Sequence, residues 1–174
     1  MPMMSKYLAS IGLLLLLSSP LRADPMVVFG AEPVSGSAAS FMLSGLEGET
    51  HALAQWQGKV VMLNFWATWC TPCRHEMPGM ERLWQRYGDD GFVVVAVSVD
   101  EGMARRVAKF VEILALTYPI LLDPDYAVGD LYQVSGLPYT VLIDREGQLL
   151  AEVVGQREWD STEAFALIES LLSR

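Results

Sequence analysis

The sequence predicts an α/β fold in which a central mixed sheet is flanked by helices, and three observations support this. Two nearly unbroken apolar runs, Val60 to Ala67 and Phe92 to Val99, are typical of strands in the centre of a sheet. Each run is followed by apolar residues at helical spacing. Near the C-terminus two further apolar runs, separated only by residues 145–148, predict an antiparallel hairpin.

The other early elements follow in chain order. Two short apolar runs around Gly45 and Gly48 predict an N-terminal hairpin over residues 41–53. A short helical turn ending at Gly58 leads into the first central strand. The apolar face of the helix behind that strand consists of Met77, Met80, Leu83, Trp84 and Tyr87. Gly88 is placed to end this helix.

Three elements are predicted between and after the hairpins. A second helix has the apolar positions Met103, Val107, Phe110, Val111 and Leu114. A short strand over 119–123 and a short helix over 125–131 precede the closing hairpin, whose strands are 139–144 and 149–155. Asp160 with Glu163 predicts the N-terminal cap of a last helix. That helix is expected to bury Phe165, Ile168 and Leu172.

The first residues have the pattern of a secretory signal peptide. Lys6 precedes and Arg22 closes a Leu-rich run that would extend about 22 Å as a helix. A hydrocarbon core is about 30 Å thick. We expect residues 1–23 to be the signal peptide, cleaved after Ala23, with retention as a tilted anchor left open. Residues 24–40 are expected to be a flexible lead-in, and 41–174 the folded domain.

Charge limits the class of partner. The formal net charge is −9, and removal of Lys6 and Arg22 with the signal would make it about −11. This balance argues against nucleic acid and anionic membrane surfaces. An exported protein with one cysteine pair either carries a disulfide or exchanges one.

Both cysteines, Cys70 and Cys73, lie where a buried strand ends and a helix begins. Free N–H groups at a helix start favour a thiolate, Pro72 suits the first turn, and Arg74 adds positive charge. Cys73 lies one turn further along nearly the same face. The spacing fits a two-step exchange, in which Cys70 attacks a partner disulfide and Cys73 then resolves the mixed disulfide.

Two structural interpretations of this cysteine pair compete with a redox role: a zinc site and a structural disulfide. A structural zinc site needs four ligands, and only His51 and His75 remain, without a second pair of cysteines. A purely structural disulfide gains little from so short a loop. No metal site is therefore predicted, although Cys70, Cys73 and His75 leave open a copper-binding role. Met77 and Met80 are assigned to the core by their helical spacing.

The stretch VVMLNFWATWCTPCRHEMPGMERLW, together with GLPYTVLIDREGQL, resembles the TlpA/ResA-type exported thiol–disulfide oxidoreductases of the thioredoxin superfamily. The resemblance spans about residues 41 to 172 and implies a thioredoxin-like fold with an N-terminal hairpin extension. It implies no cofactor.

By this resemblance, Cys70 is the exposed nucleophile, Cys73 is the buried resolving thiol, and together they form the redox disulfide. Glu76, on the face of Cys73, would take its proton, although an early-helix glutamate also suits the helix dipole. Pro138 matches the family's cis-proline, which receives a substrate strand. The other residues expected to contact substrate are Trp69, Pro72, Leu137 and Tyr139.

Two positions depart from related patterns. Asn64 stands where thioredoxin has an aspartate, so Glu76 becomes the expected base. Tyr139 is bulkier than the threonine often found there in the exported branch.

The expected function is a periplasmic reductant of disulfides, recharged by a membrane electron donor of thiol-reductase type and acting as a monomer. The resemblance implies targets in cytochrome c maturation or copper-site assembly. The alternatives are a disulfide-introducing oxidase and a non-enzymatic copper-binding chaperone. A peroxidase is disfavoured, because NFWATWC lacks a proline just before the reactive cysteine.

Overall fold

The structure is a computed structural model that describes residues 23–102 and 104–174. Within them, the strands are β1 (Glu32–Pro33), β2 (Met42–Gly45), β3 (Thr50–Ala52), β4 (Val60–Trp66), β5 (Phe92–Ser98), β6 (Ile120–Leu122), β7 (Tyr139–Ile143) and β8 (Leu149–Val154). The helices are α1 (Pro25–Phe29), α2 (Thr71–Tyr87), α3 (Ala104–Ile113), α4 (Ala127–Leu131) and α5 (Thr162–Leu172). Short 3₁₀ turns cover Leu53–Trp56 and Gly88–Asp90.

All of these strands form one mixed sheet in the order β1-β8-β7-β4-β5-β6-β2-β3. The pairs β4–β5 and β5–β6 are parallel, and the other pairs are antiparallel. Every residue of β4, β5 and β7 is buried, because helices or loops cover both faces of the sheet. This confirms the predicted thioredoxin-like α/β fold with its N-terminal hairpin.

Successive residues of β4 point to opposite faces of the sheet. Asn64 and Trp66 face α2 and α3, since Asn64 donates to Glu76 and the Trp66 ring lies 5.2 Å from Phe110. Phe65 faces the other side, where its ring centroid lies 5.7 Å from that of Tyr132. The disulfide at the start of α2 therefore lies at the carboxyl end of the central strand, on the face that Asn64 shares.

The structure adds detail to several sequence predictions and corrects one. Within the lead-in, α1 packs on α5 and β1 pairs with β8. The prediction that Gly88 ends α2 is confirmed, since Gly88 is the C-cap; its backbone is right-handed, and the left-handed glycine is Gly91, with φ 91°. The α5 cap is Ser161, which accepts from Ala164 N, because Asp160 instead binds Arg82.

The buried face of α5 also differs from the prediction. It consists of Ala164, Leu167, Ile168 and Leu171, while Phe165 and Leu172 are half-buried. Two parts of the sequence predictions lie outside the described residues: the signal peptide, except for its last residue Ala23, and Met103. Among the helices that are described, none has both the length and the apolar character needed to cross a membrane.

Candidate active site

Cys70 and Cys73 form a disulfide at the start of α2, with Cα atoms 5.3 Å apart. Cys70 is the N-cap residue, with an extended backbone, and its Sγ accepts a hydrogen bond from Cys73 N at 3.3 Å. The sulfur thus lies among the free N–H groups of the first turn, where negative charge is stabilised. The position matches the sequence prediction.

The two cysteines differ little in exposure. Cys73 is fully buried, as expected, but Cys70 keeps only 4% of its surface exposed, so the expectation of an exposed nucleophile is wrong for the disulfide form. The reason is that its sulfur turns inward to bond Cys73 and to cap the helix. Only Cys70 of the pair presents any surface to a partner.

Glu76 is a buried carboxyl group one turn beyond Cys73, on the same face of α2. It is 2% exposed. Its Oε2 accepts from Arg157 N at 3.1 Å and from Trp159 Nε1 at 3.3 Å. Its Oε1 accepts from Asn64 Nδ2 at 3.1 Å. These donors hold both oxygens in place, so the carboxyl group has one defined orientation behind the disulfide.

Burial raises the pKa of Glu76 to about 7, from an ordinary value of 4.5. The hydrogen bonds from Arg157, Trp159 and Asn64 act in the opposite direction but are outweighed by the loss of hydration. A carboxyl group with this pKa both accepts and releases a proton near neutral pH, as a general acid–base group requires.

Asn64 joins the central strand to the carboxyl group and to the neighbouring strand. Its Nδ2 donates to Glu76 and also to Thr140 Oγ1, at 3.0 Å. Within the described chain its Oδ1 has no hydrogen-bond partner, although the side chain is completely buried. The amide therefore serves Glu76 as a donor, which fits the expectation that the residue at this position is not itself the base.

The Leu137–Pro138 peptide bond is cis, as the resemblance implied. Pro138 is buried, and its carbonyl oxygen accepts from Gly155 N at 2.9 Å. Leu137 is half-buried at the edge of a surface groove.

Tyr139, which the resemblance implied as a substrate contact, has a buried side chain. It is 5% exposed, and its hydroxyl group donates to Glu152. Thr140, the next residue on β7, points toward Asn64, so Tyr139 faces the opposite side of the sheet. The Tyr139 side chain therefore lies on the face of the sheet opposite to Asn64 and the disulfide.

Trp69 and Pro72 flank the disulfide on the surface. Trp69 is 66% exposed, and Pro72 is exposed in the first turn of α2. Trp69 and Leu137 line an open groove of about 830 Å³. The polar groups of this groove include the exposed carboxyl groups of Glu101 and Asp125. The groove combines apolar contact area with negative charge beside Cys70.

The candidate metal-binding residues are dispersed. Met77 and Met80 are completely buried in the core, as predicted, and His75 is exposed on α2. In the part of the chain that the structure describes, no group of three or more His, Cys, Asp or Glu side chains is arranged to hold a metal ion.

A model of the AhpC/TSA family matches residues 34–151, which is more than half of the chain. The chain belongs to this thioredoxin-like family. The thiol–disulfide oxidoreductase ResA of Geobacillus thermodenitrificans is 43% identical over 125 residues, covering 72% of this chain and 71% of its own. ResA of Halalkalibacterium halodurans is 38% identical over 128 residues, covering 74% and 72%.

A solved structure supports the same assignment. A crystal structure from Chlorobium tepidum, assigned as thiol:disulfide interchange protein DsbE, has a TM-score of 0.75 and 35% identity, covering 81% of this chain and 99% of its own. The protein is therefore a ResA-like thiol–disulfide oxidoreductase whose CxxC pair forms the Cys70–Cys73 disulfide.

Sequence reasoning missed three of the groups around Glu76. Thr140, Arg157 and Trp159 contact Glu76 directly or through Asn64. The one available signal is a lone Trp159 in a polar loop directly before the last helix. Its partner lies 83 positions earlier in the chain, so no local pattern indicates the contact.

Proposed function

We propose that this ResA-like protein reduces disulfides in exported partner proteins, with Cys70 as nucleophile, Cys73 as resolving thiol and Glu76 as the group that accepts the proton of Cys73. The observation that carries the proposal is the buried carboxyl group of Glu76 on the face of Cys73, with a pKa raised to about 7.

The proposed reaction has two exchange steps. The Cys70 thiolate attacks one sulfur of the partner disulfide, which forms a mixed disulfide and releases the other partner sulfur as a thiolate. Cys73 then gives its proton to Glu76 and attacks the Cys70 sulfur. This forms the Cys70–Cys73 disulfide and releases the second partner thiolate. Two electrons pass to the partner, and Glu76 releases its proton to water or to a leaving thiolate.

Two features support the reducing direction. A strongly oxidising pair requires a strongly stabilised reduced form. The Arg74 guanidinium lies over the Phe110 ring, 5.6 Å from the centroid, and this contact supports a weaker stabilisation of the Cys70 thiolate by its charge. Glu76, when ionised, disfavours a second negative charge on Cys73. The helix start is then the main group that stabilises the reduced pair, and stabilisation of the reduced form that is only modest favours donation of electrons.

The groove beside Trp69 is the proposed substrate-binding site. Trp69 and Pro72 offer exposed apolar surface next to Cys70, and Leu137 lies on the groove wall. Pro138 has no N–H, and its carbonyl oxygen accepts from Gly155 N. Leu137 has no backbone hydrogen bond to another described residue, so its backbone is the one proposed to pair with a visiting strand. Glu101 and Asp125 favour a partner with basic residues near its disulfide.

The cellular setting is proposed from the sequence. The signal-like residues 1–23, cleaved or kept as an anchor, support a proposed location in the periplasm, where a reductant would need a membrane electron donor of thiol-reductase type. The proposed targets are haem-binding cysteines of apocytochrome c or cysteines of a copper site. The protein is proposed to act as a monomer.

The equilibrium potential of the Cys70–Cys73 couple against glutathione tests the direction. We expect a value well below about −220 mV, on the reducing side of the glutathione range. A value near about −120 mV, typical of strong oxidants, would instead assign the protein as a disulfide-introducing oxidase. Stoichiometric copper uptake without reduction of insulin would indicate the copper-binding chaperone.

A further inference from the structure

The lead-in helix α1 is a short amphipathic element with a fixed orientation. Asp24 caps it by accepting from Met26 N at 2.9 Å, and Gly30 ends it with φ 77°. Met26 and Phe29 are 6% and 8% exposed. Val28, on the other face, is 54% exposed. The inward face of α1 therefore buries Phe29 at one defined position.

Phe29 packs against Trp159, the indole that donates to Glu76. The two ring centroids lie 4.7 Å apart with planes inclined by 43°. A Cβ atom on Gly79 of α2 would lie only 3.3 Å from Trp159 Cβ, so the helix backbone approaches the tryptophan closely there. Trp159 is thus confined between Phe29 and α2, with 1% of its surface exposed.

The end of α1 also lies beside the second donor to the same carboxyl oxygen. A Cβ atom on Gly30 would be 3.7 Å from Arg157 Nη2, and Arg157 N donates to Glu76 Oε2. The lead-in thus packs on Trp159, one donor to Oε2, and approaches the side chain of Arg157, whose backbone N–H is the other donor. Nothing in the reaction itself requires a residue at position 29, which lies 47 positions before Glu76 in the sequence.

We infer that Phe29 is a positioning residue for the exchange reaction: it holds Trp159 against Glu76 Oε2 and keeps water away from the carboxyl group. This inference rests on the proposed role of Glu76 as proton acceptor. It assigns to the lead-in a part in the active site, although none of its described residues lines the substrate groove.

The direction of the effect follows from the groups around Glu76. The side facing α1 has the Arg157 guanidinium, β4 contributes only the neutral Asn64, and α2 contributes Cys73, which is held in the disulfide. Tyr118 is a further titratable group near Glu76, because the charges of Glu81 and Glu76 both contribute to its raised pKa. Loss of Phe29 admits water, which hydrates the carboxylate and replaces the indole donor. The pKa of Glu76 then falls, because burial is the main cause of its rise.

The test is the infrared titration of the protonated carboxyl band in the oxidised full-length chain, with Glu76→Gln used to identify the band. We expect Phe29→Ala to lower the midpoint of Glu76 by about one pH unit. Phe29→Leu, which keeps apolar cover but loses the ring contact, is expected to lower it less. Val28→Ala, an exposed change on the same helix, is the matched control and leaves the midpoint unchanged. A midpoint in Phe29→Ala that equals or exceeds that of Val28→Ala overturns the inference.

A second measurement covers the case in which Phe29→Ala does not fold. Hydrogen exchange of the Trp159 indole N–H is then compared between Phe29→Leu and Val28→Ala. Faster exchange in Phe29→Leu supports the inference, and equal exchange overturns it.

The disulfide-exchange rate of Glu76→Gln, read together with the infrared titration, separates this inference from the proposed function. If Glu76→Gln exchanges disulfides as fast as the parent, the proton-transfer role of Glu76 fails, whatever Phe29 does to the titration. If Glu76→Gln is slow but the Phe29 variants titrate like the parent, only the role of Phe29 fails.

Discussion

Asn64 Nδ2 lies 3.1 Å from Glu76 Oε1, and this hydrogen bond joins the central strand β4 to helix α2 behind the Cys70–Cys73 disulfide. The contact links a neutral amide to a buried carboxyl group, so one acid titrates at this point instead of two. The charge state of the site near neutral pH therefore depends on Glu76.

Asn64→Asp is expected to change the titration of the site. Two carboxyl groups in hydrogen-bond contact do not both ionise readily, so one keeps its proton well above the pKa of Glu76 in the parent. Infrared titration is expected to show two steps, the upper one above about 7. Asn64→Ala, which adds no acid, serves as the control and gives one carboxyl step. A single step at the parent midpoint in Asn64→Asp would refute this prediction.

Glu76→Gln is expected to slow the resolving step. Gln accepts no proton from Cys73, and general acid–base groups contribute about 100-fold or more to rate. The measurement is the decay of a mixed disulfide between Cys70 and a model peptide. In the parent the decay rate rises as the pH passes through about 7, and this step is lost in the variant. Glu163→Gln, an exposed change in the first turn of α5, is the control. Equal decay in all three chains would rule out the role of Glu76.

The stability of the parent is expected to depend on Glu76 in a defined pH window. Its folded pKa of about 7 exceeds the ordinary value of 4.5, so the folded state holds the proton more tightly than the unfolded state. The stabilisation is fully present below 4.5 and is lost as the pH rises through about 7. The stabilisation lost between these two pH values is on the order of 3 kcal/mol in the free energy of unfolding.

Chemical denaturation across this window measures the effect as the difference between the parent and Glu76→Gln. Other groups titrate in both chains and cancel in the comparison. The variant is expected to lose less stability than the parent as the pH rises. Parallel stability curves would show that Glu76 titrates in the folded protein as it does in the unfolded one.

Trp69→Ala is expected to weaken binding of protein substrates and to leave the disulfide chemistry intact. Loss of an exposed aromatic contact of this size costs about 1–3 kcal/mol in binding, or roughly 5- to 150-fold in KM. The reduction of a small disulfide that does not reach the groove is expected to stay unchanged. Ile113→Ala removes a similarly exposed apolar side chain at the end of α3 and is the control. An unchanged KM for the protein substrate would exclude Trp69 from the binding surface.

Much of the fold followed from local patterns. The unbroken apolar runs of β4 and β5 correctly predicted central strands, because strands buried on both faces have no polar alternation. The position of Cys70 at a helix start was also predictable, since the strand, the cysteine and Pro72 are adjacent in sequence. The cap of α5 was predicted one residue early, at Asp160, because both Asp and Ser suit an N-cap. The choice depended on the ion pair with Arg82, a contact distant in sequence.

The sequence by itself determined the reactive pair, the central strands and the helix behind them, because each depends on residues within a few positions of one another. Only the tertiary structure decided the surroundings of Glu76. Its donors come from positions 64, 157 and 159, and Phe29 supports one of them from the lead-in. Burial, which raises the pKa of Glu76, comes from groups that are distant in the chain and close only after folding.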